Sequence, residues 1–263
     1  MYEVAVAIPT YGGWNLVKRL LASLNTRRSY TVVIVEGLVN PPEEERRWVE
    51  ENEAILEVGV VGGVARAFNV GIKRGLEVAE YVYLVNDDCI LHSKAVDELI
   101  DFWERKPYPD IVAVSSQVLN MTDGFKVEDL DRIYSEVVGG VRPEWVYGWH
   151  ANACLWTREL VEKVGMFDEN FKFACYDDDD VRIRIGKAGF RSAISNRSLV
   201  WHQVSATLNR LLKDNPSLRE EVRRNLLYLL KKHPEYVYFQ KAFRSSLNSL
   251  FFSVDSMFFA SQS

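Results

Sequence analysis

Four aspartates stand side by side in the stretch FACYDDDDVRIRIGKAGF, at positions 177 to 180. Three kinds of chemistry suit such a run: negative charge at a helix N-terminus, ligands for a metal ion, or a general base. Acids in a first helical turn interact with the helix dipole for about 0.3–1 kcal/mol each, which explains one or two of them. It does not explain four, because neighbouring carboxylates raise each other's pKa. A carboxyl group with a raised pKa is suited to accept a proton near neutral pH.

A second acidic group, Asn86-Asp87-Asp88, follows the apolar segment YVYLV. Hard divalent cations prefer oxygen ligands, and one or two carboxylates together with diphosphate oxygens suit Mg²⁺ or Mn²⁺. The same three residues are also ordinary in a polar loop or a helix cap. The residues alone leave both interpretations open.

Apolar segments of strand length alternate with helical ones along the first 118 residues. The strand-like segments are VAVAIP, TVVIVEG, ILEVGVV, YVYLV and DIVAVSSQV. Strands separated by helices of this length indicate βαβ units, and so predict an α/β fold with a mostly parallel sheet flanked by helices. In such sheets ligands bind beyond the carboxyl ends of the strands. The residues that follow each strand are therefore the candidate site.

Polar residues follow the first two strands. Pro9, Thr10 and Tyr11 form a turn after the first strand, with backbone donors and an aromatic face. Glu36 follows the second strand and could accept hydrogen bonds from a base or a ribose. These positions are predicted to bind a nucleotide.

The third strand leads into GGVARAFNVG, in which Gly63 frees the backbone and Arg66 and Asn69 fall one helical turn apart, and these three residues are also predicted to bind the nucleotide sugar. A tight turn alone would also explain the glycine pair. The segment lacks GxGxxG spacing and does not follow the first strand, so it is not a dinucleotide-binding fingerprint.

The second half of the chain is less regular. RIYSEVV, EWVYGW and ANACLW are predicted strands, a helix is expected from Asp178 to Ala188, and FRSAIS and SLVWH are predicted as two further strands. Everything after Ser205 has a helical pattern. We therefore predict one domain over residues 1–205 and a helical C-terminal extension over residues 206–263.

Charge and cysteine content narrow the classes of function. The net charge is −5, with nine basic and five acidic residues after Ser205 and a net of −9 before it. An acidic body argues against generic nucleic-acid binding. Three cysteines without CxxC spacing indicate a reducing compartment and no thiolate zinc cluster. With no apolar run of about 20 residues, we expect a cytoplasmic protein, with peripheral attachment to the inner face of the membrane as the alternative.

These segments together resemble the family-2 inverting glycosyltransferases, which have the GT-A fold. The resemblance rests on six motifs in order: strand-PTY, GG…ARxxNxG, strand-NDD, WHANACLWTRELVEKVGMFDENFKFACYDDDD, GKAGF and VWH. It covers roughly residues 3 to 205 and continues more weakly into RRNLLYLLKKHP. Tyr-Asp-Asp-x-Asp followed by Trp-His looks most like the rhamnosyl- and galactofuranosyltransferase-like branch.

The resemblance implies transfer of a sugar from a nucleotide-diphosphate donor to an acceptor hydroxyl, with a divalent metal, Mn²⁺ or Mg²⁺. Asp88 stands where the family has a metal ligand, Asp87 is the second choice, and His202 stands where a histidine adds a further contact. Asp178 stands at the catalytic base and Asp177 at its supporting acid. Asn86, at the first position of the metal motif, is counted with the donor site. Without the family match, His202 would read as a core histidine and Asp180 as a helix-start acid.

Two further features follow from the same resemblance, and a third, the C-terminal tail, follows from its own apolar pattern. Trp149 and His150 stand where the family lines its acceptor site, although interior packing would explain them equally. Glu36 replaces an aspartate common near the base-binding strand end, so the nucleobase stays open. The Phe-rich tail is expected to be a helix that serves as a lid, a dimer contact or a membrane-surface contact, the last suiting a glycan or lipid-linked acceptor.

Two rival functions differ in class. A sugar-phosphate nucleotidyltransferase has a related fold but would show a GxGxR loop after the first strand, where this chain has PTYGGW. A degenerate member would bind a sugar nucleotide or a glycan without turnover. The joint presence of Asp88, Asp178 and His202 favours the enzyme.

Overall fold

The computed structural model describes residues 1–204 and 206–236. The described strands are β1 (Tyr2–Thr10), β2 (Tyr30–Glu36), β3 (Ile55–Glu57), β4 (Ala79–Val85), β5 (Cys89–Leu91), β6 (Ile111–Asn120), β7 (Trp145–Tyr147), β8 (Ala153–Trp156) and β9 (Arg191–His202). The described helices are α1 (Trp14–Ser23), α2 (Glu43–Glu51), α3 (Val64–Val78), α4 (Ala95–Arg105), α5 (Asp129–Val138), α6 (Arg158–Val164), α7 (Asp177–Lys187), α8 (Ala206–Asp214) and α9 (Leu218–Lys232).

All described strands join one sheet, in the order β3-β2-β1-β4-β8-β6-β9-β5, with β7 paired to β9. The first four positions are parallel, as the alternation of strands and helices predicts. β1 shows why: it is buried from Val4 to Thr10 on both faces, which is typical of a parallel strand covered by helices on both sides. The carboxyl ends of β1, β2 and β4 therefore meet at one edge.

The other half of the sheet is mixed. β8 runs antiparallel to β4 and β6, and β5 and β7 run antiparallel to β9, whereas β6 and β9 are parallel. The predicted α/β class is thus confirmed, with antiparallel pairings confined to the half that begins at β8. These pairings bring the end of β9 beside β5, because Cys89 and Asn120 both pair with His202.

Two hydrophobic layers cover the sheet. One face packs against residues of α1 and α4, including Val17, Leu20 and Leu99. The other packs against α3, α6 and α7, where Phe68 and Ile185 are buried. Each helix therefore presents one apolar stripe to the sheet and keeps its polar side outside.

Two predictions from the second half were wrong. RIYSEVV is not a strand but part of α5, because Leu130, Ile133 and Val137 are buried at helical spacing. FRSAIS and SLVWH are one strand, β9, rather than two. Between Ser195 and Leu199 the register against β6 shifts, so the polar residues that looked like a break form a bulge within the strand.

The C-terminal part that the structure describes is helical, as predicted. On the exposed side of α9, Arg223 and Arg224 pair with Glu220 and Glu221, so this surface carries both charges. Within residues 1–204 and 206–236, no helix combines the length and the apolar character that crossing a membrane requires. The Phe-rich tail, predicted to be a helix, lies outside the described residues.

Candidate active site

The ends of β1, β2, β4 and β9 bring the polar predictions to one edge of the sheet. Thr10 and Glu36 end neighbouring strands in register, and Asp87 follows β4, the other neighbour of β1. The Thr10 hydroxyl donates a 2.7 Å hydrogen bond to Asp87 Oδ2 and accepts one from the Gly13 backbone amide. The loop after β1 and the loop after β4 are thereby tied together.

Asp87 has an unusual titration. The pKa of Asp87 is raised to about 7, chiefly by burial. The hydrogen bond from the Thr10 hydroxyl opposes this shift, and the negative charge of Asp88 adds to it. A positive charge beside a carboxyl group with a raised pKa stabilises its ionised form. Asp87 therefore suits a position next to a cation, as the sequence predicted.

Asp88 and His202 form a pair of potential metal ligands. Asp88 Oδ1 lies 3.0 Å from His202 Nε2, and both side chains are buried. On the other side of the ring, Nδ1 lies 3.0 Å from Asn152 Nδ2 and 3.2 Å from Asn120 Oδ1. When Nε2 is free to ligate, Nδ1 carries the proton and can donate to Asn120, which orients the ring.

These residues fit a hard divalent cation. A carboxylate oxygen and an imidazole nitrogen are ligands that Mn²⁺ accepts, and they lie in a group of three potential ligands whose atoms are all within 4.8 Å. The third is the Cys89 thiol, whose pKa burial raises well above its usual value, so it stays protonated. The amide oxygen of Asn86 is buried nearby in sequence and accepts no hydrogen bond within the described residues.

Asp177 and Asp178 begin α7 and form the second acidic site. Asp177 is buried and Asp178 is half-buried. Burial is the main cause that raises both pKa values, that of Asp178 to about 6, and the negative neighbours add to it. Arg182, one helical turn on, limits the rise at Asp178. The proton therefore prefers Asp177, which leaves Asp178 ionised near neutral pH.

The loop that leads into α7 has an unusual backbone. Phe173, Cys175 and Tyr176 have φ values of 63°, 77° and 71°, in the left-handed region that favours glycine. Each such residue costs about 1–2 kcal/mol. Strain of this kind persists only where surrounding contacts impose it, and it is concentrated at functional sites.

The other two aspartates of the run have structural partners. Asp180 is fully buried, with Lys232 Nζ at 2.7 Å, His233 Nε2 at 2.8 Å and Arg184 Nε at 2.8 Å. Burial alone would raise its pKa, but these three donors outweigh burial and lower it. Asp179 accepts a hydrogen bond from Arg182. The helix-start explanation thus gives way to ion pairing at both positions.

Two of the predicted donor-binding residues have their polar groups committed elsewhere. The Glu36 carboxylate is fully buried and accepts hydrogen bonds from the backbone amides of Gly12 and Leu38. Asn69 is buried and exchanges hydrogen bonds with the backbone of Phe167, besides donating to Glu169. Glu36 thereby shapes the loop after β1, and Asn69 fastens α3 to the turn before α7, while their contacts with the donor stay predictions.

Gly63 also acts through packing. Its φ is +110°, and a Cβ placed on it would lie 2.5 Å from the backbone nitrogen of Phe173. The next residue, Val64, donates its amide to the Phe173 carbonyl at 2.7 Å. The start of α3 thus lies directly against the strained loop, an approach that only glycine permits.

The remaining donor-side predictions differ in exposure. Arg66 is exposed at the start of α3, and the Tyr11 ring is 44% exposed while lying over the backbone of Gly37. Both can reach a ligand. Pro9 is buried within β1 and shapes the strand end, and its contact with the donor stays a prediction.

The two acceptor-side predictions separate. Trp149 is buried among Trp156 and Phe167, which makes it a core residue. His150 is half-buried, and its pKa falls to about 4, first because of burial and then because of the positive charge of Arg182. Its ring is therefore neutral and within electrostatic reach of both acidic sites.

Sequence reasoning missed three residues of the site: Asn120, Asn152 and Arg182. The two asparagines contact His202 from β6 and from the loop before β8. Their segments are distant in sequence, and no motif marks them. Arg182 had a signal, since it falls one helical turn after Asp178.

Comparison with known proteins places this geometry in a fold. No family model matches the chain, and no curated protein does. Among solved structures, the chain is similar to GalNAc-T7, in a crystal structure with UDP, GalNAc and Mn²⁺, with a TM-score of 0.59 and 13% identity. The match covers 77% of this chain and 44% of that one, so this chain spans less than half the length of that protein.

A second similar structure is S. aureus TarS 1–349 in complex with UDP, with a TM-score of 0.48 and 17% identity, covering 86% of this chain and 65% of that one. The likeness to GalNAc-T7 is one of fold. The chain therefore has the GT-A architecture of glycosyltransferases, a central sheet flanked by helices, as its motifs led us to expect.

Proposed function

We propose that this protein is an inverting glycosyltransferase that moves a sugar from a nucleotide-diphosphate donor to an acceptor hydroxyl. The observation that carries the proposal is the pairing of two acidic sites on a GT-A sheet. One is the Asp88–His202 pair at the ends of β4 and β9, and the other is the Asp177–Asp178 pair at the start of α7. Group transfer needs one site to hold the leaving diphosphate and another to take a proton.

Asp178 is the general base in this proposal. Its carboxylate takes the proton of the acceptor hydroxyl while the acceptor oxygen forms a bond to the anomeric carbon. The bond from that carbon to the diphosphate breaks, and the nucleoside diphosphate leaves with the electron pair. A single displacement of this kind inverts the anomeric centre. Burial raises the pKa of Asp177 above that of Asp178. Asp177 therefore keeps its proton, and Asp178 is the group that accepts the proton of the acceptor hydroxyl.

Asp88 and His202 would hold a divalent cation, with Asp87 next to them. Such a cation neutralises the charge that develops on the departing diphosphate. The Asn120 side-chain oxygen accepts the Nδ1 proton of His202 and keeps the ring in orientation. Tyr11 and Arg66 are exposed near the donor side and are proposed to contact the nucleotide or its phosphates.

Two narrower statements rest on the motifs. We assign the chain to family 2, in the rhamnosyl- and galactofuranosyltransferase-like branch, on YDDDD followed by VWH. His150 is proposed to face the acceptor, since it is neutral and lies near Arg182. A glycan or a lipid-linked glycan is the proposed acceptor class.

Calorimetric titration of UDP, GDP and dTDP, with and without Mn²⁺, tests the proposal. We expect one nucleotide to bind only with the metal, and Asp88→Asn to weaken that binding at least about tenfold. Glu51→Gln, an exposed change on α2, is the control and should bind as the wild type does. Metal-dependent binding without turnover of any sugar nucleotide would support the non-catalytic binding module, and no binding at all would refute a donor site.

A further inference from the structure

One motif has no role in the proposed function so far: RRNLLYLLKKHP, which forms the second half of α9 and the residues after it. Its polar residues Asn225, Tyr228, Lys232 and His233 recur at helical spacing on one face. Asn225 and His233 are each 3% exposed, so the face is turned inward. A buried polar face requires partners, and these partners identify what the helix holds.

Asn225 binds the loop before α7 at four points. Its amide nitrogen donates to the carbonyl oxygens of Lys172 at 2.6 Å and Ala174 at 2.9 Å, and that of Cys175 lies at 3.3 Å. Its side-chain oxygen accepts the backbone amide of Lys172 at 3.0 Å. One side chain thus contacts the backbone of three residues in a loop that has no regular structure.

This is the same loop that has three left-handed residues, Phe173, Cys175 and Tyr176. It is held from the opposite side by the start of α3, where Gly63 lies against Phe173. Asp177 follows directly. The direction in which Asp177 and Asp178 leave the loop is therefore determined by contacts to Asn225 on one side and to α3 on the other.

A second attachment lies just beyond Asp178. Asp180 binds Lys232 and His233 of the same motif, and Lys232 also lies 2.6 Å from Asp168, which accepts a hydrogen bond from Tyr228. α9 thus contacts the chain before and after the two candidate catalytic aspartates, but neither of its attachments involves Asp178.

We infer that α9 is the element that holds Asp178 in its reactive position, with Asn225 as the chief positioning residue. The inference rests on the proposed function, because it assigns Asn225 a role in the transfer catalysed by Asp178. The catalytic unit then extends to His233. The domain boundary predicted at residue 205 from the helical pattern therefore does not separate the site from the C-terminal extension.

The structural half of this inference can be tested without activity, through Cys175. This residue is half-buried in the loop, whereas Cys89 and Cys154 are fully buried in the sheet. In Asn225→Ala we expect a thiol reagent to label Cys175 at least about tenfold faster, with Cys89 and Cys154 unchanged, because local opening exposes the loop alone. Peptide mass spectrometry of the labelled full-length chain resolves the three thiols.

Leu229→Ala is the matched control. Leu229 is fully buried in the same helix and packs near Phe171, so its truncation lowers the stability of the folded protein while every hydrogen bond from α9 to the loop remains. Both variants are measured well below their melting temperatures. Asn225→Asp adds a near-isosteric test: it keeps the acceptor for Lys172 but loses the donor, and should behave like Asn225→Ala.

The catalytic half is read from steady-state kinetics. Asn225→Ala should lower kcat about 100-fold, as expected of a misplaced catalytic group, with nucleotide binding unchanged by calorimetry. Leu229→Ala should lose thermal stability but keep kcat within about threefold. An equal loss of kcat in both variants would mean a purely structural role and overturn the inference.

The remaining outcomes separate the inference from the proposed function. Unchanged labelling of Cys175 in Asn225→Ala overturns the inference whatever the activity, since the loop would not depend on Asn225. Faster labelling with wild-type kcat also overturns it. A wild-type protein that turns over no sugar nucleotide refutes the proposed function and the catalytic half with it, while the labelling result still decides whether α9 holds the loop.

Discussion

At the scale of single residues, burial divides the four aspartates by function. Asp180 is fully buried, yet its three donors Lys232, His233 and Arg184 lower its pKa, whereas the pKa values of Asp177 and Asp178 rise, with Arg182 opposing only part of the rise at Asp178. Identical side chains within one helical turn thus have different surroundings, because successive side chains of a helix point about 100° apart. The run combines a structural anchor with a candidate base.

Asp178→Asn should lower kcat by about 10²–10⁴, the usual contribution of a general base, while nucleotide binding stays intact. Asp179→Asn, the adjacent change, should keep kcat within about threefold, because Asp179 pairs with Arg182 at the surface. Steady-state kinetics with calorimetry checks both. Full activity in Asp178→Asn would remove this residue from the mechanism.

The same assignment predicts the pH dependence of wild-type kcat/KM. A base acts only when it is deprotonated, and burial raises the pKa of Asp178 to about 6. We therefore expect kcat/KM to fall about tenfold per unit below pH 6 and to level off above it. A pH–rate profile that is flat between pH 5 and 7, roughly one unit either side of that pKa, would contradict the assignment.

At the scale of elements, the site is formed by several loops that lie close together. The loops after β1 and β4 are tied by Thr10 and Asp87, and the loop before α7 is held between α3 and α9. The parallel half of the sheet could be predicted from the sequence, because each apolar segment is continuous and each intervening helix is amphipathic.

Other parts could not be predicted, for reasons that the contacts explain. The sequence predicts ligand contacts for Glu36 and Asn69, but it does not reveal their hydrogen bonds to the backbone of Gly12 and Phe167, because backbone groups are the same at every position. The bulge after Ser195 resembles a strand break in the sequence because its residues are polar. In the structure these residues lie outside the regular pairing of β9 with β6. RIYSEVV was taken for a strand because three of its residues are β-branched.

Gly63→Ala tests the contact between α3 and the strained loop. A Cβ there would lie 2.5 Å from Phe173 N, so backbone must move, and we expect a loss of at least about 2 kcal/mol in the free energy of unfolding. Gly140→Ala is the matched control: its φ is also positive, at 76°, but no atom lies within 4 Å. Urea denaturation of both variants separates the clash from the backbone preference. Equal losses would mean that the close approach is unimportant.

At the scale of the whole molecule, the acidic run joins the sheet domain to its C-terminal helix. Asp180 lies in α7, and its partners Lys232 and His233 lie at the end of α9 and directly after it. A charge this deeply buried is stable only with its partners in place. The domain and α9 should therefore unfold together rather than in two steps.

Asp180→Ala should lower the free energy of unfolding by about 3–5 kcal/mol, because Lys232 and Arg184 lose a buried counter-charge. Since the folded-state pKa of Asp180 is lowered, its stabilising contribution is present above its unfolded pKa of about 4 and is lost as the pH falls below it. Urea denaturation at pH 7 should show the difference between wild type and variant, and the difference should shrink as the pH is lowered below about 4. Equal stability at pH 7 would contradict the prediction.

The docking of α9 also has a consequence for the order of assembly on the ribosome. When the chain has emerged from the ribosome through residue 205, every described strand is available, but Asn225, Lys232 and His233 are not. At about 5–20 residues per second, the stretch up to His233 takes a few seconds more. During that interval the nascent chain can form its sheet while the loop before Asp177 lacks the side chain that binds its backbone. On our inference, activity begins only when α9 has docked.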